Sequence, residues 1–350
     1  MVTKPTAREL YIRELQNDTL QQKAWLEVFE NSLKDSLKIE LPYSEKGKFY
    51  KFKPLIYTYN FELLKGRNFY VQVHTDSITQ RVFLDLFRNT CDSVSKYELV
   101  DSNELGAKSV MYKVESSGDY KLIVQPEINL ESDFSLRVYD RPVYAFPVYG
   151  KGNEAIQSFW GAVRDGGKRT HEGLDIFADK GTPVMAVADG RIRFTGNRGL
   201  GGKQVWLKTG LFGNSVYYAH LDSVLVKTGQ RVQIGETLGL VGNSGNARTT
   251  KPHLHFGIYQ GYRGAVNPLP FVQRSDLPKD IEEPERISEQ IIVASPRANL
   301  RIEASVKGQK IGEAQQNDTL LLLGFTENWA HVRSKSGQKG YVHRSLIAIP

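Results

Sequence analysis

The chain of 350 residues contains one cysteine, Cys91, so no disulfide can form within it and the thiol reads as a small hydrophobe. It has no run of 18 apolar residues, which excludes a membrane-spanning helix. It also has no polybasic run, because its 46 Lys and Arg are interspersed with 39 Asp and Glu to leave a net charge of +7. No recognition motif accompanies that excess, so no nucleic-acid partner is expected. The opening Met1-Val2-Thr3-Lys4-Pro5 lacks the apolar stretch of a signal peptide. No internal repeat is visible, since the triplet shared by Asn17-Asp18-Thr19 and Asn317-Asp318-Thr319 falls once in a helical pattern and once in a β pattern. What remains is a globular composition in which 31 Gly and 17 Tyr favour strands and turns, at a length suited to two or three domains.

Four of the seven histidines fall in one stretch of this chain. In His253-Leu254-His255 two imidazoles two residues apart on a strand point to the same face, which is a metal-site geometry. Upstream lie His171 and Asp175 in His171-Glu172-Gly173-Leu174-Asp175, and between the two motifs sits His220 in Tyr217-Tyr218-Ala219-His220-Leu221. Catalytic zinc keeps three protein ligands from imidazole and carboxylate groups and leaves one position open for water. Two His and one Asp supply that set. The two histidines left over can serve as base and transition-state stabiliser if they reach the water and the developing oxyanion.

The surrounding residues extend the pattern. Phe159-Trp160-Gly161 leads to Arg169-Thr170-His171, then Gly181-Thr182-Pro183-Val184-Met185-Ala186 and Asp189-Gly190 follow, and Gly229-Gln230-Arg231-Val232, Gly235-Glu236-Thr237-Leu238-Gly239 and Pro252-His253-Leu254-His255-Phe256 complete it. Over roughly residues 143 to 273 this resembles the M23 family of LytM/lysostaphin-type zinc metallopeptidases, the peptidoglycan endopeptidases. The resemblance implies Zn2+ held by His171, Asp175 and His255, with His220 and His253 as the catalytic pair, His253 the base and His220 the stabiliser of the oxyanion. It departs from the family at Lys251, where a small residue is common, and at Gly257, where an acidic residue is frequent; neither is a ligand, so both bear on substrate preference. The implied activity is hydrolysis of a peptide bond in the stem or cross-bridge of peptidoglycan. The alternatives are a non-enzymatic wall-binding activator of another hydrolase, which the intact ligand set opposes, and a secreted proteinase or bacteriocin acting on Gly-rich peptides.

Other candidates read as structural. His74, His331 and His343 lie outside the stretch and are expected at the surface or satisfied in a core. The segment from Gly196 to Gln204 imitates a phosphate loop but lacks Ser or Thr after Lys203, so it reads as a connection between strands. Together with residues 242–250, residues 198–203 are expected to wall an open groove.

The fold class expected is mainly β, in several parts. Residues 1–44 form a helical segment, with apolar positions from Leu10 to Leu37 at helical spacing. Ser44-Glu45-Lys46-Gly47-Lys48 reads as a break before a β-sandwich over 45–141, whose strands include Phe69–Val73, Val82–Phe87, Gly118–Val124 and Phe134–Val138. The peptidase core occupies 142–274, and an acidic, Pro-punctuated linker occupies 275–287. Residues 288–350, with Ala298-Asn299-Leu300-Arg301, Asn328-Trp329-Ala330-His331-Val332 and Gly340-Tyr341-Val342-His343, resemble the bacterial SH3 domain, a small β-barrel that often binds wall peptide. Trp329 and Tyr341 would then either fill the barrel core or touch ligand. The sandwich is expected to act as a spacer, a wall-binding module or a cover over the active site. Peptidoglycan is the expected partner, and the positive charge suits its anionic polymers. The expected place of action is the periplasm or the cell exterior, with a secretory or lipoprotein signal removed, and the expected state is a monomer.

Overall fold

β-strands dominate the computed structural model, which describes residues 5–15, 19–51, 53, 55–76, 79–90, 96–210, 213–282 and 288–350. Cys91 lies outside the described residues. Among them no helix is long and apolar enough to cross a membrane. The chain divides into two compact units, one built from the described parts of 1–64, 68–140 and 276–350, the other from 65–67 and 141–275.

The first unit starts with helix Ala7–Glu14, whose N-terminus is closed by a capping box between Thr6 and Glu9. A second helix, Thr19–Ser32, brings Trp25 onto Tyr11 and Phe83. The helical pattern that runs to Leu37 in the sequence stops at Ser32. Beyond it the backbone bonds outward instead, Lys38 N–H to the Ile302 carbonyl and Ile39 N–H to that of Asn60, so tertiary pairing overrides local periodicity. Ser44 to Lys48 is likewise no break. It lies within the strand Tyr43–Phe49, which pairs antiparallel with Ser132–Pro142 on one edge and with Thr319–Thr326 on the other.

That strand joins the sandwich to the C-terminal barrel. A four-stranded sheet in the order Tyr57–Leu63, Gly118–Pro126, Val82–Asn89, Tyr97–Ser102 belongs to the sandwich alone. The larger sheet runs from Ser109–Lys113 and Arg67–Thr75 through Ser132–Pro142 and Tyr43–Phe49 into the barrel strands Thr319–Thr326, Trp329–Arg333 and Lys339–His343. Phe69, Val71 and Val73 alternate inward along Arg67–Thr75 to meet Leu84, Leu86, Leu122 and Val124 of the other sheet. At the junction Glu45, fully buried, accepts hydrogen bonds from Tyr43, from the Tyr59 hydroxyl (2.9 Å) and from His331 Nδ1–H (3.0 Å). Burial, with the Glu45 charge beside them, pushes the Tyr43 and Tyr59 hydroxyls well above the usual tyrosine range. Lys339 Nζ adds bonds to Asp35 (2.6 Å) and to the Ile56 carbonyl (2.7 Å). Trp329 and Tyr341, 8% and 0% exposed, close on Leu37 as a small apolar cluster. The sandwich and barrel thus share one continuous sheet while each keeps its own apolar core. Of the segment read as a linker, residues 276–282 are bound to this unit through Ser44 Oγ on the Lys279 carbonyl, Arg137 on the Pro278 carbonyl and a buried Ile281, and 283–287 lie outside the described residues.

The second unit is an antiparallel sheet in the order Arg231–Val232, Gly190–Asn197, Lys203–Lys208, Ser215–Leu221, His253–Tyr259, Leu174–Phe177, Ile156–Ser158, with a three-stranded sheet of Pro183–Met185, Thr237–Leu240 and Ser223–Val224. Its core is made of Leu174, Ile176, Val205, Leu207, Val216, Tyr218, Leu254, Phe256 and Ile258. These residues alternate with the polar and aromatic set that points to the opposite face, and that face carries the site.

Candidate metal centre

Asp175 on Leu174–Phe177 stands directly opposite His255 on His253–Tyr259, and His255 is flanked on its other side by Ala219 of Ser215–Leu221. The strand period of two puts His253 on the same face as His255. His171 arrives from a hairpin: Val163–Arg164 pairs with Arg169–Thr170, and backbone bonds from Gly161 N–H to the His171 carbonyl and from His171 N–H to that of Ala162 close its base. His220 reaches this face by a β-bulge in its pairing with Lys203–Lys208, where two residues, Ala219 and His220, oppose Gln204. Its φ of +60° is a conformation that few residues other than glycine adopt, and such strain gathers at functional sites.

Three ligand-type atoms converge. His171 Nε2, Asp175 Oδ1 and His255 Nδ1 lie 3.0 Å from one another in every pair. Tetrahedral zinc with bonds of about 2.1 Å spaces its ligand atoms at roughly 3.4 Å, so the triangle is close to the size such an ion requires. The protons fit as well. His171 Nδ1–H donates to the Phe159 carbonyl (2.9 Å), which leaves Nε2 with a lone pair aimed at a carboxylate that can only accept. Gly173 completes the cradle, since a Cβ there would lie 2.8 Å from the His255 ring and 2.6 Å from the Phe256 carbonyl.

The other two histidines face the same point. His253 Nδ1–H donates to the Lys251 carbonyl (2.8 Å), and its Nε2 lies 3.9 Å from Asp175 Oδ1. His220 Nδ1–H donates to the Ser244 carbonyl (2.9 Å), and its ring sits 5.1 Å from that of His253 and 5.8 Å from that of His255. Burial, then the neighbouring imidazoles, lower His220 to about 4, which keeps it neutral near pH 7. His171, Asp175, His220, His253 and His255 all line a cleft of about 700 Å³. Thus the structure brings the five residues singled out in the sequence to one place. His331 and His343 bond instead to Glu45 and Ser345, and His74 is exposed.

Several residues of the site carry no motif that would have revealed them. Arg164 Nη2 bonds Asp175 Oδ2 (2.7 Å) and Ser158 Oγ (2.6 Å). Tyr217 meets His255 edge-on at 5.8 Å and stacks beside Trp206 at 4.5 Å, which in turn lies 5.1 Å from Tyr259, so an aromatic floor extends from the histidines along the sheet. Burial, then the Glu172 carboxylate, push the Tyr259 hydroxyl up to about 12. The segments 198–203 and 242–250 meet each other, Asn246 N–H on the Leu200 carbonyl and Lys203 N–H on Ser244 Oγ, and contribute Leu200, Gly201, Asn246, Ala247 and Thr250 to the cleft.

Residues 169–268 match Peptidase family M23, and residues 296–348 match the bacterial SH3 domain. The L-Ala–D-Glu endopeptidase of Bacillus subtilis (strain 168) is 37% identical over 125 residues, 33% of this chain and 38% of the relative. The peptidoglycan DD-endopeptidase ShyC of Vibrio cholerae is 37% identical over 91 residues, 25% of this chain and 20% of the relative. The glycyl-glycine endopeptidase ALE-1 of Staphylococcus capitis is 37% identical over 108 residues, 29% of each. The chain therefore spans well under half the length of these curated relatives. Among solved structures, the catalytic domain of the antimicrobial peptidase lysostaphin from Staphylococcus simulans is 33% identical, with 33% of this chain and 89% of that one covered at a TM-score of 0.31. Residues 169–268 are thus a peptidase family M23 domain, and residues 296–348 a bacterial SH3 domain.

Proposed function

We propose that this protein is a zinc-dependent endopeptidase that hydrolyses peptide bonds in the stem or cross-bridge of bacterial peptidoglycan, acting in the periplasm or outside the cell. The observation that carries the reading is the convergence of His171, Asp175 and His255 at 3.0 Å spacing in a cleft that two more histidines face. His171 Nε2, Asp175 Oδ1 and His255 Nδ1 would hold the ion. Zinc supplies Lewis acidity towards a peptide carbonyl and activates water for attack at neutral pH.

The residues of the chain do the rest. The carbonyls of Lys251 and Ser244 take the Nδ1 protons of His253 and His220, so both rings turn a proton-accepting Nε2 away from those carbonyls. His253, the nearer to Asp175, takes the proton of the attacking water and passes it to the leaving amine. With its Nδ1 proton committed, His220 donates to a developing oxyanion only after gaining a second proton, so its first role is as an acceptor beside His253. Tyr217, Tyr259 and the 198–203 and 242–250 segments would grip the peptide along the cleft. The named relatives act on L-Ala–D-Glu, DD and glycyl-glycine bonds, so family membership alone does not choose the bond.

The test is zinc content together with release of soluble muropeptides from purified sacculi, with and without chelator. Chelator-sensitive release is expected, and fragment masses name the bond. Stoichiometric zinc without release from several sacculus types would refute the enzymatic reading in favour of an activator, and degradation of casein or elastin in place of sacculi would favour a general proteinase.

A further inference from the structure

Resting on the reading of His171, Asp175 and His255 as the ligand set, we propose that Arg164 is a positioning residue of the metal site, which holds Asp175 by Oδ2 so that Oδ1 alone is presented to the ion. One guanidinium nitrogen of Arg164 makes two short bonds, 2.7 Å to Asp175 Oδ2 and 2.6 Å to Ser158 Oγ. The same Ser158 Oγ lies 3.3 Å from His171 Nδ1, whose proton goes to the Phe159 carbonyl. Arg164 therefore ties Asp175 to the same hairpin that delivers His171.

The hairpin is built to deliver that group. Gly166 and Gly167, at φ of +66° and +97°, turn the chain between Val163–Arg164 and Arg169–Thr170. The resulting register sets Arg164 opposite Arg169, a like-charge pair that costs stability in a hairpin considered alone. The Asp175 carboxylate, 10% exposed, offsets that cost, whereas Arg164 itself stays about one-third exposed at the cleft wall. A carboxylate free to rotate about its terminal torsion can turn either oxygen, or both, towards a cation. A charge-assisted bond to Oδ2 opposes that rotation, and the two N–H bonds of one planar guanidinium nitrogen, directed at Asp175 and Ser158, suit this better than the freely rotating ammonium of lysine. An ion pair that merely supported the fold would leave metal affinity untouched once the protein is folded.

That difference is measurable on the full chain without substrate. Zinc affinity is taken by competition with a chromophoric chelator for the parent, R164M and R164K, and the metal-free melting temperature is recorded for each. R164M is expected to weaken zinc binding 10- to 100-fold, the range for loss of a group that orients a ligand, with R164K in between and the metal-free melting temperatures close together. The Co2+-loaded R164M chain is expected to change its visible absorption as the carboxylate reorients. Zinc affinity of R164M within two-fold of the parent overturns the proposal. If R164M melts early without metal, R164K carries the test, and a parent-like affinity and cobalt spectrum in that variant overturn it equally. A parent chain that takes up no zinc at all refutes the ligand reading itself, and this proposal with it.

Discussion

Adding one methyl group at Gly173 probes how tightly the proposed ligand triangle of His171, Asp175 and His255 is held. A Cβ at this position would lie 2.6 Å from the Phe256 carbonyl oxygen and 2.8 and 2.9 Å from Cε1 and Nε2 of His255, where ordinary contact begins at 3.4 Å. The imidazole would have to retreat by roughly 0.5 Å and the carbonyl by roughly 0.8 Å, and strain of this kind in a packed site costs about 1–3 kcal/mol. The carbonyl cannot yield alone, because Phe256 is paired with Leu174 in the sheet. The ring gives way, and with it the 3.0 Å separations of His255 Nδ1 from His171 and Asp175. We expect Gly173→Ala to weaken zinc binding on the order of 10- to 100-fold, about 1.4–2.8 kcal/mol, and to lower activity with it. Chelator competition gives the first quantity and urea unfolding of the metal-free chain separates it from loss of fold. Parent-like zinc affinity in a folded Gly173→Ala chain would show that close packing at Gly173 does not seat His255, and the argument from the cradle would fail.

Other perturbations divide the remaining roles. His255→Ala should remove metal and activity together, whereas His253→Ala should keep stoichiometric zinc and lose about 10²- to 10⁴-fold in rate, the usual worth of general acid–base catalysis, so retained activity in both defeats the assignment. For His220, lowered to about 4 by burial, the unfolded chain binds the proton more readily than the folded one, so stability should fall as pH drops from about 6.5 towards 4, and His220→Asn should flatten that part of the urea-derived profile; an unchanged profile contradicts the burial argument. Glu45→Ala strips three buried donors of their acceptor and should cost about 3–5 kcal/mol in urea unfolding, with a loss under 1 kcal/mol counting against the junction.

What could be read in advance follows from how local the physics is. His253 and His255 are legible because a strand presents alternate residues to one face, and the family's motifs carry His171, Asp175 and His220 with them. Arg164 and Ser158 are illegible because their role depends on a hairpin folding back over another strand, and nothing in the local pattern marks an arginine that binds a carboxylate eleven residues on. The same reason explains the polar run at Ser44 to Lys48. Glu45 looks like a turn residue until Tyr43, Tyr59 and His331, the last 286 positions away, surround it. The end of the helical pattern at Ser32 follows suit, since Lys38 and Ile39 find backbone partners at Ile302 and Asn60 that no window of sequence contains.

This long-range pairing bears on what the C-terminal barrel is for. A freely hung wall-binding module would present its aromatic landmarks to solvent, yet Trp329 and Tyr341 are buried against Leu37, and the strand Thr319–Thr326 continues the sandwich sheet. Leu323 belongs to the sandwich core itself, and Tyr57 donates to its carbonyl. Deleting residues 288–350 would therefore uncover the edge of Tyr43–Phe49 and leave Glu45 without His331 and Asp35 without Lys339. A strand edge with a buried carboxylate beneath it is a site for unfolding or aggregation. We expect the shortened chain to lose its N-terminal sandwich to limited proteolysis while the 141–275 unit persists as a resistant fragment. A sandwich that survives protease at the parent's rate would mean that the barrel is an appendage after all, whereas its loss would mean that any ligand of the barrel binds on a face other than the one holding Trp329 and Tyr341.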